Sequence, residues 1–111
     1  MYIREAHPVD GWRSRSNDEA GIMIRQPRTR NAREKVAKRC GEALDISFPV
    51  AVDEPDDRAE RAYAAFPDRL YLIDRQGRIA YKSGRGPFGY DPRGLEQALL
   101  FLLLDEKVRA F

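Results

Sequence analysis

The stretch from Leu70 to Lys82 constrains the fold of this chain more than any other. Two short runs rich in aliphatic and aromatic residues, Leu70-Tyr71-Leu72-Ile73 and Ile79-Ala80-Tyr81-Lys82, flank the polar stretch Asp74-Arg75-Gln76-Gly77-Arg78. That pattern predicts a buried strand, a tight turn and a second strand. A Gly/Pro-rich loop from Ser83 to Tyr90 follows, and then Asp91-Pro92, an N-cap with proline at the first helical position. The helix starting there carries Leu95-Glu96-Gln97-Ala98-Leu99-Leu100-Phe101-Leu102-Leu103-Leu104, apolar almost all round by its middle. Such a helix needs cover on two sides.

Upstream, Tyr2-Ile3-Arg4-Glu5-Ala6 reads as a strand over 1–6, stopped by Pro8 and the Asp10-Gly11 turn signal. From Arg13 to Gln26 no period is visible, so 7–28 is expected to be a loop insertion. A helix capped by Thr29 or Asn31 should run to about Leu44, with Val36, Ala37, Cys40 and Leu44 on its apolar face and Gly41 weakening its last turn. Phe48 to Val52 is a short apolar run; Asp53 to Asp57 suits a strand-to-helix loop; Arg58 to Ala65 is a helix that Pro67 ends. The order β-α-β-α-β-β-α predicts an α/β sheet with mixed strand directions. An apolar share of 42% over 111 residues suits one modest domain, 1–111.

The single cysteine, Cys40, excludes an internal disulfide, a Cys-x-x-Cys pair and a cysteine metal cluster, and its place on a helix's apolar face marks a packed thiol. Seven basic residues between Arg25 and Arg39, including Arg28, Arg30, Arg33 and Lys38, form a stripe without interleaved aromatics. We read it as a solvated helix face, with no nucleic-acid partner expected. No apolar run approaches the roughly 20 residues of a membrane helix and Met1 begins no signal peptide, so a cytoplasmic protein without a membrane partner is expected. Glu5, His7 and Asp10 lack further His or Cys ligands, and neither metal nor cofactor is expected.

Glu5 and His7 are two residues apart, so in a strand both side chains share a face where a carboxylate can orient an imidazole for proton transfer. A solvent-facing ion pair at a strand end has the same spacing. Strict alternation puts Tyr2 on the opposite face from Glu5.

Tyr2-Ile3-Arg4-Glu5-Ala6-His7-Pro8-Val9-Asp10-Gly11-Trp12 resembles the end of a central strand in iodothyronine deiodinases. Arg69-Leu70-Tyr71-Leu72-Ile73 and Gly84-Arg85-Gly86-Pro87-Phe88-Gly89-Tyr90 match the same family in order and approximate spacing. The resemblance implies a thioredoxin-like, peroxiredoxin-related α/β fold, and the closing hairpin and helix look like its second half. It also implies an oxidoreductase in which a selenocysteine or cysteine attacks a ring-bound iodine. Tyr2, Glu5 and His7 would then serve proton relay, and Arg69 would meet the substrate's amino-acid end. A thiol reductant and a halogenated aromatic substrate are the implied partners, with a homodimer possible. Read without the resemblance, Arg69 is equally an exposed charge at the start of a strand.

Two departures qualify this. Pro27 falls where vertebrate members carry a histidine, which points away from iodothyronine itself, and Pro67 stands near the cis-proline position of ordinary thioredoxin folds. The strand and helix bearing the family's nucleophile should precede Tyr2, and Cys40 lies beyond the acid/base motif. The expectation is therefore a partial thioredoxin-like domain, inactive by itself and prone to aggregate or swap. A family selenocysteine codon read as stop, with Met1 assigned at a later start, would account for it. A non-catalytic thioredoxin-like binding module is the alternative.

Overall fold

A computed structural model of the chain describes residues 1–110 as a mixed α/β structure in two compact units, Met1–Phe66 and a second from Pro67 onward. The first holds α1 (Arg15–Glu19), α2 (Arg30–Ala43) and α3 (Arg58–Tyr63). The second holds β1 (Tyr71–Ile73), β2 (Ile79–Lys82) and α4 (Pro92–Arg109).

In the first unit, Thr29 caps α2 by accepting from the Ala32 amide at 3.1 Å. The helix ends in a Schellman arrangement: Asp45 takes a left-handed φ of 52°, and the Asp45 and Ile46 amides donate back to the Glu42 and Gly41 carbonyls. Ala37 is buried and Val36 and Cys40 are half-buried, as the spacing predicts. Leu44 departs from that expectation; as the C-cap it turns outward and is 72% exposed. Arg33 departs in the other direction. Expected in the solvated stripe, it is 2% exposed, because the 53–57 loop supplies carbonyl and carboxylate acceptors for its guanidinium.

The expected strand at Tyr2–Ala6 is reduced to one parallel bridge, Tyr2 to Val52, with the Tyr2 amide donating to Ala51 and the Asp53 amide to Tyr2. Its continuation fails for a definite reason. The Glu5 amide and carbonyl are both taken by the Gln26 side chain, at 2.9 Å each, so no strand ladder can use them. The apolar run before Val52 likewise forms no strand. The 7–28 stretch, expected as loop, contains α1, which Ser14 caps through the Asn17 amide. Helix α3 stops at Tyr63, ahead of Pro67, because Ala64 adopts a left-handed φ of 47°. Buried Asp53 anchors its start by accepting from the Glu54, Ala59 and Glu60 amides.

The second unit matches its sequence closely. β1 and β2 pair antiparallel, Tyr71 with Lys82 and Leu72 with Tyr81, with a bulge between Leu72 and Ile73. Asp74 organises the turn: its carboxylate accepts from the Gln76 and Arg78 amides at 2.9 Å, and Gly77 takes the positive φ of 79°. The Arg78 amide bond, with the Arg78 guanidinium, holds the Asp74 carboxyl below its ordinary value. Asp91 caps α4 through the Gly94 amide at 3.0 Å, and α4 packs on both strands. The first strand, expected to be buried, is half-covered, with Ile73 50% exposed on a sheet of only two strands. No residue of α4 is buried; Phe101 is 72% and Leu104 58% exposed. No helix among the described residues is long and apolar enough to cross a membrane.

Candidate functional site

The Tyr2–Trp12 segment is held from several directions, and each hold comes from outside the motif or from its own turn. The Tyr2 backbone is fixed by the bridge to Val52, and the Gln26 amide group clamps Glu5. Gln26 is held in turn, its backbone N–H donating to Asp10 Oδ1 at 2.8 Å. That bond, helped by Arg28 and Arg25, keeps the Asp10 carboxyl below its ordinary value. A Val9 to Ile24 backbone bond closes the 9–26 loop onto itself, and a turn from Pro8 to Gly11 swings Trp12 back toward His7.

Within this frame the Tyr2 hydroxyl donates to Glu5 Oε1. Alternation predicted opposite faces, but the chain leaves strand geometry after Tyr2, and the three-residue separation brings the side chains together. Burial pushes the Tyr2 phenol well above its ordinary value of 10.0, and the hydrogen bond to Glu5 and the nearby carboxylate add to the shift. The phenol therefore keeps its proton at neutral pH.

His7 is oriented by a different group from the one the spacing suggested. Its Nδ1 lies 3.0 Å from the Trp12 carbonyl oxygen, and the rings meet edge to face at 5.0 Å. A carbonyl only accepts, so Nδ1 carries the proton and Nε2 is left as the basic nitrogen of the neutral ring. No hydrogen bond or ion pair joins Glu5 to His7 among the described residues. The motif thus divides into a Tyr2–Glu5 pair and a separately held His7.

Cys40 lies within electrostatic reach of both Tyr2 and Glu5. Desolvation first, and the Glu5 charge second, push its thiol above the ordinary value, opposite to the shift that activates a nucleophilic cysteine. Among the described residues no group of three or more His, Cys, Asp or Glu side chains could hold a metal ion.

Arg69, in the second unit, is half-buried, donates from Nε to the Ser83 carbonyl at 2.7 Å and stacks 5.5 Å from the centre of the Tyr71 ring. Ser83 is itself buried, accepts from the Leu70 amide and donates to the Gly84 carbonyl, so the arginine is seated on a fixed hairpin end.

Sequence reasoning missed Gln26 and Arg33. Both are polar residues whose partners lie more than a dozen positions away, Glu5 for the first and Asp57 for the second. Nothing in the residues next to either one signals these contacts.

Comparison with known proteins supplies the context for this geometry. The family model for iodothyronine deiodinase matches residues 1–101. A type I iodothyronine deiodinase of Xenopus laevis is 38% identical over 92 residues, covering 83% of this chain and 34% of the relative. A thyroxine 5-deiodinase of Gallus gallus is 38% identical over 81% of this chain and 33% of its own length. The type II iodothyronine deiodinase of Homo sapiens is 31% identical over 82% of this chain and 34% of its own length. The chain thus spans about a third of the length of these curated relatives. No solved structure matches it. A family model covering the motif, the clamp and the hairpin, together with relatives at this identity, places the chain in the iodothyronine deiodinase family.

Proposed function

We propose that these residues form the acid/base part of a deiodinase-like oxidoreductase of thioredoxin-like fold that removes halogen from an aromatic substrate. The observation that carries this reading is the Tyr2–Glu5 contact, a protonated phenol donating to a carboxylate inside a backbone clamp. A sulfur or selenium nucleophile from outside these 111 residues takes the halogen, and the ring carbon keeps the bonding pair and needs one proton. The Tyr2–Glu5 pair, whose phenol donates to the carboxylate, delivers that proton to the ring carbon and takes one back from solvent, and His7, held apart from the pair with Nε2 as its basic nitrogen, exchanges protons with solvent at the same site. A thiol reductant then restores the nucleophile and releases halide. For Arg69, in the second unit, the family likeness supports a part in meeting an anionic group, a role that suits a planar guanidinium.

The test is halide release from iodinated phenols by the complete gene product with a dithiol reductant. Glu5→Gln and His7→Ala should each lower kcat by about a hundredfold or more, the scale of a lost general acid or base. Wild-type turnover in both variants overturns the site. A second reading, a non-catalytic thioredoxin-like binding module, is favoured by the raised thiol of Cys40, the chain's single cysteine, and predicts no halide release from any variant or from the parent.

A further inference from the structure

The first unit contains a groove of about 520 Å³ between α2 and the returning segment 46–52, floored by Ala37, Gly41, Ile46, Val50 and Val52. We propose that this groove takes an extended peptide of basic and aliphatic residues, which adds as a strand to the open backbone edge at Val52. The inference is independent of the catalytic reading above, since it uses none of the acid/base residues.

The edge is open for a geometric reason. Tyr2 pairs with Val52 in parallel, the Tyr2 amide donating to the Ala51 carbonyl and the Asp53 amide to the Tyr2 carbonyl. In that arrangement the amide and carbonyl of Val52 itself point to the opposite side, away from Tyr2. Among the described residues no hydrogen bond falls on either group, nor on the amide and carbonyl of Val50. An unpaired edge of this kind is a template for another strand.

The groove beside that edge suits alternate side chains. Segment 46–54 runs back along α2: the Ile46 amide donates to the Gly41 carbonyl at one end, and Arg30 pairs with Glu54 at the other. A strand added at Val52 therefore lies along the helix, and every second side chain faces Ala37 and Gly41. Gly41 keeps this space clear. It sits inside α2 and nothing lies within 4 Å of the position its Cβ would take, so neither backbone conformation nor a close neighbour demands glycine there.

Charge at the rim selects the partner. Glu34, Glu42 and Asp45 line the groove against Lys38 alone, and among the described residues none of these carboxylates joins an ion pair. Glu34 and Glu42 are eight residues apart on the groove side of α2, about 12 Å along its axis. Four residues of extended strand span about 13 Å. Cations at positions i and i+4 of the peptide thus reach both carboxylates, while the aliphatic side chain at i+2 enters the groove between them. The pattern the site reads is Lys-x-Val-x-Lys, with the charges setting register and the strand bonds and apolar contact holding it.

The experiment titrates the full chain with the peptide acetyl-Thr-Lys-Thr-Val-Thr-Lys-Thr-amide, followed through the backbone amide shifts by NMR. We expect saturable binding with a shifted Val52 amide, and no saturation by the same peptide carrying glutamate for both lysines. Gly41→Leu fills the groove with a good helix former, so it should keep the fold and weaken binding about tenfold or more. Glu42→Lys should weaken it about fivefold, whereas Glu19→Lys, the same charge change on exposed α1, should leave it unchanged. A strand turns alternate amides to each side, so N-methylation either at the valine or at the two threonines beside it, whichever faces the edge, should abolish binding. Absence of saturable binding, saturation without a shift at the Val52 amide, or equal affinity for the glutamate peptide overturns the proposal. An equal loss in Glu19→Lys or tolerance of both methylations does the same, and the methylation arm uses the parent protein whatever the variants do to folding.

Discussion

From Met1 to Phe66 the buried side chains, besides Pro8 and Pro27, are Arg33, Asp53, Glu60 and one small apolar residue, Ala37. From Pro67 on, the one buried side chain among the described residues is Ser83, while Leu100, Phe101 and Leu104 of α4 are more than half exposed. The first unit is therefore specified by polar groups with named acceptors, the second by hairpin turn chemistry and a helix laid on two strands. A polar network fixes one geometry because each member is satisfied in only one arrangement. An apolar helix buries what it can in any arrangement that excludes water. The candidate acid/base residues all belong to the first kind of unit, where positions are held by hydrogen bonds.

The largest expected effect separates the two kinds of support. Arg33→Met removes the donor that ties α2 to the Asp53, Glu54 and Asp57 loop. Breaking a buried pair from one side costs about 3 kcal/mol, here tempered because Asp57 is a quarter exposed and can hydrate. Denaturant unfolding should show that loss. Amide exchange should localise it, with protection falling across α3 and persisting in β1 and β2. Equal loss of protection in the hairpin would show that the two units unfold together and would break the comparison.

A smaller effect is expected at Gln26. Gln26→Ala deletes two side-chain bonds to the Glu5 backbone, worth together about 1–2 kcal/mol. More informative than the stability loss is where it falls. With the clamp gone, the Glu5 amide and carbonyl become free to join a strand ladder, and the Tyr2–Glu5 contact loses its frame. The Tyr2 phenol should then ionise nearer its ordinary value of 10.0 in an ultraviolet titration, because part of its upward shift comes from Glu5. The sign follows from linkage: a phenol raised in the folded state contributes stability below pH 10 that is lost as pH climbs through the folded value. The variant should therefore lose less stability than the parent between pH 10 and the alkaline limit. An unchanged titration would mean that the clamp does not shape the pair.

How much of this was legible depended on the distance between partners along the chain. The caps at Thr29 and Asp91, proline at the first position of α4, and β2 from Ile79 to Lys82 are written in neighbouring residues and appear as expected. Likewise the Asp74 turn uses only residues up to Arg78. The failures are long-range. Gln26 reaches back 21 positions to convert an expected strand into a clamped segment, and Arg33 reaches forward 24 to leave the solvated stripe. No periodicity encodes either, because a single polar contact has no repeat. For the candidate site, the motif singled out Tyr2, Glu5 and His7, but alternation assigned the pairs wrongly: Glu5 took the tyrosine, and the Trp12 carbonyl took the histidine.

The smallest expected effect tests the other half of the comparison. Phe101 sits mid-helix on α4 at 72% exposure, so Phe101→Lys removes little buried area and replaces an aromatic with a better helix former. Its effect on stability should stay within about 0.5 kcal/mol, the range of ordinary surface changes. Solubility should rise, since a charge would interrupt the exposed run formed with Leu100 and Leu104. Sedimentation and thermal unfolding at several protein concentrations would measure both. A destabilisation of several times that size, with unfolding that depends on concentration, would mean that the face is covered in solution. The second unit would then owe its stability to that cover, and the contrast between a polar-specified unit and an open apolar one would narrow to a difference in which partner each has found.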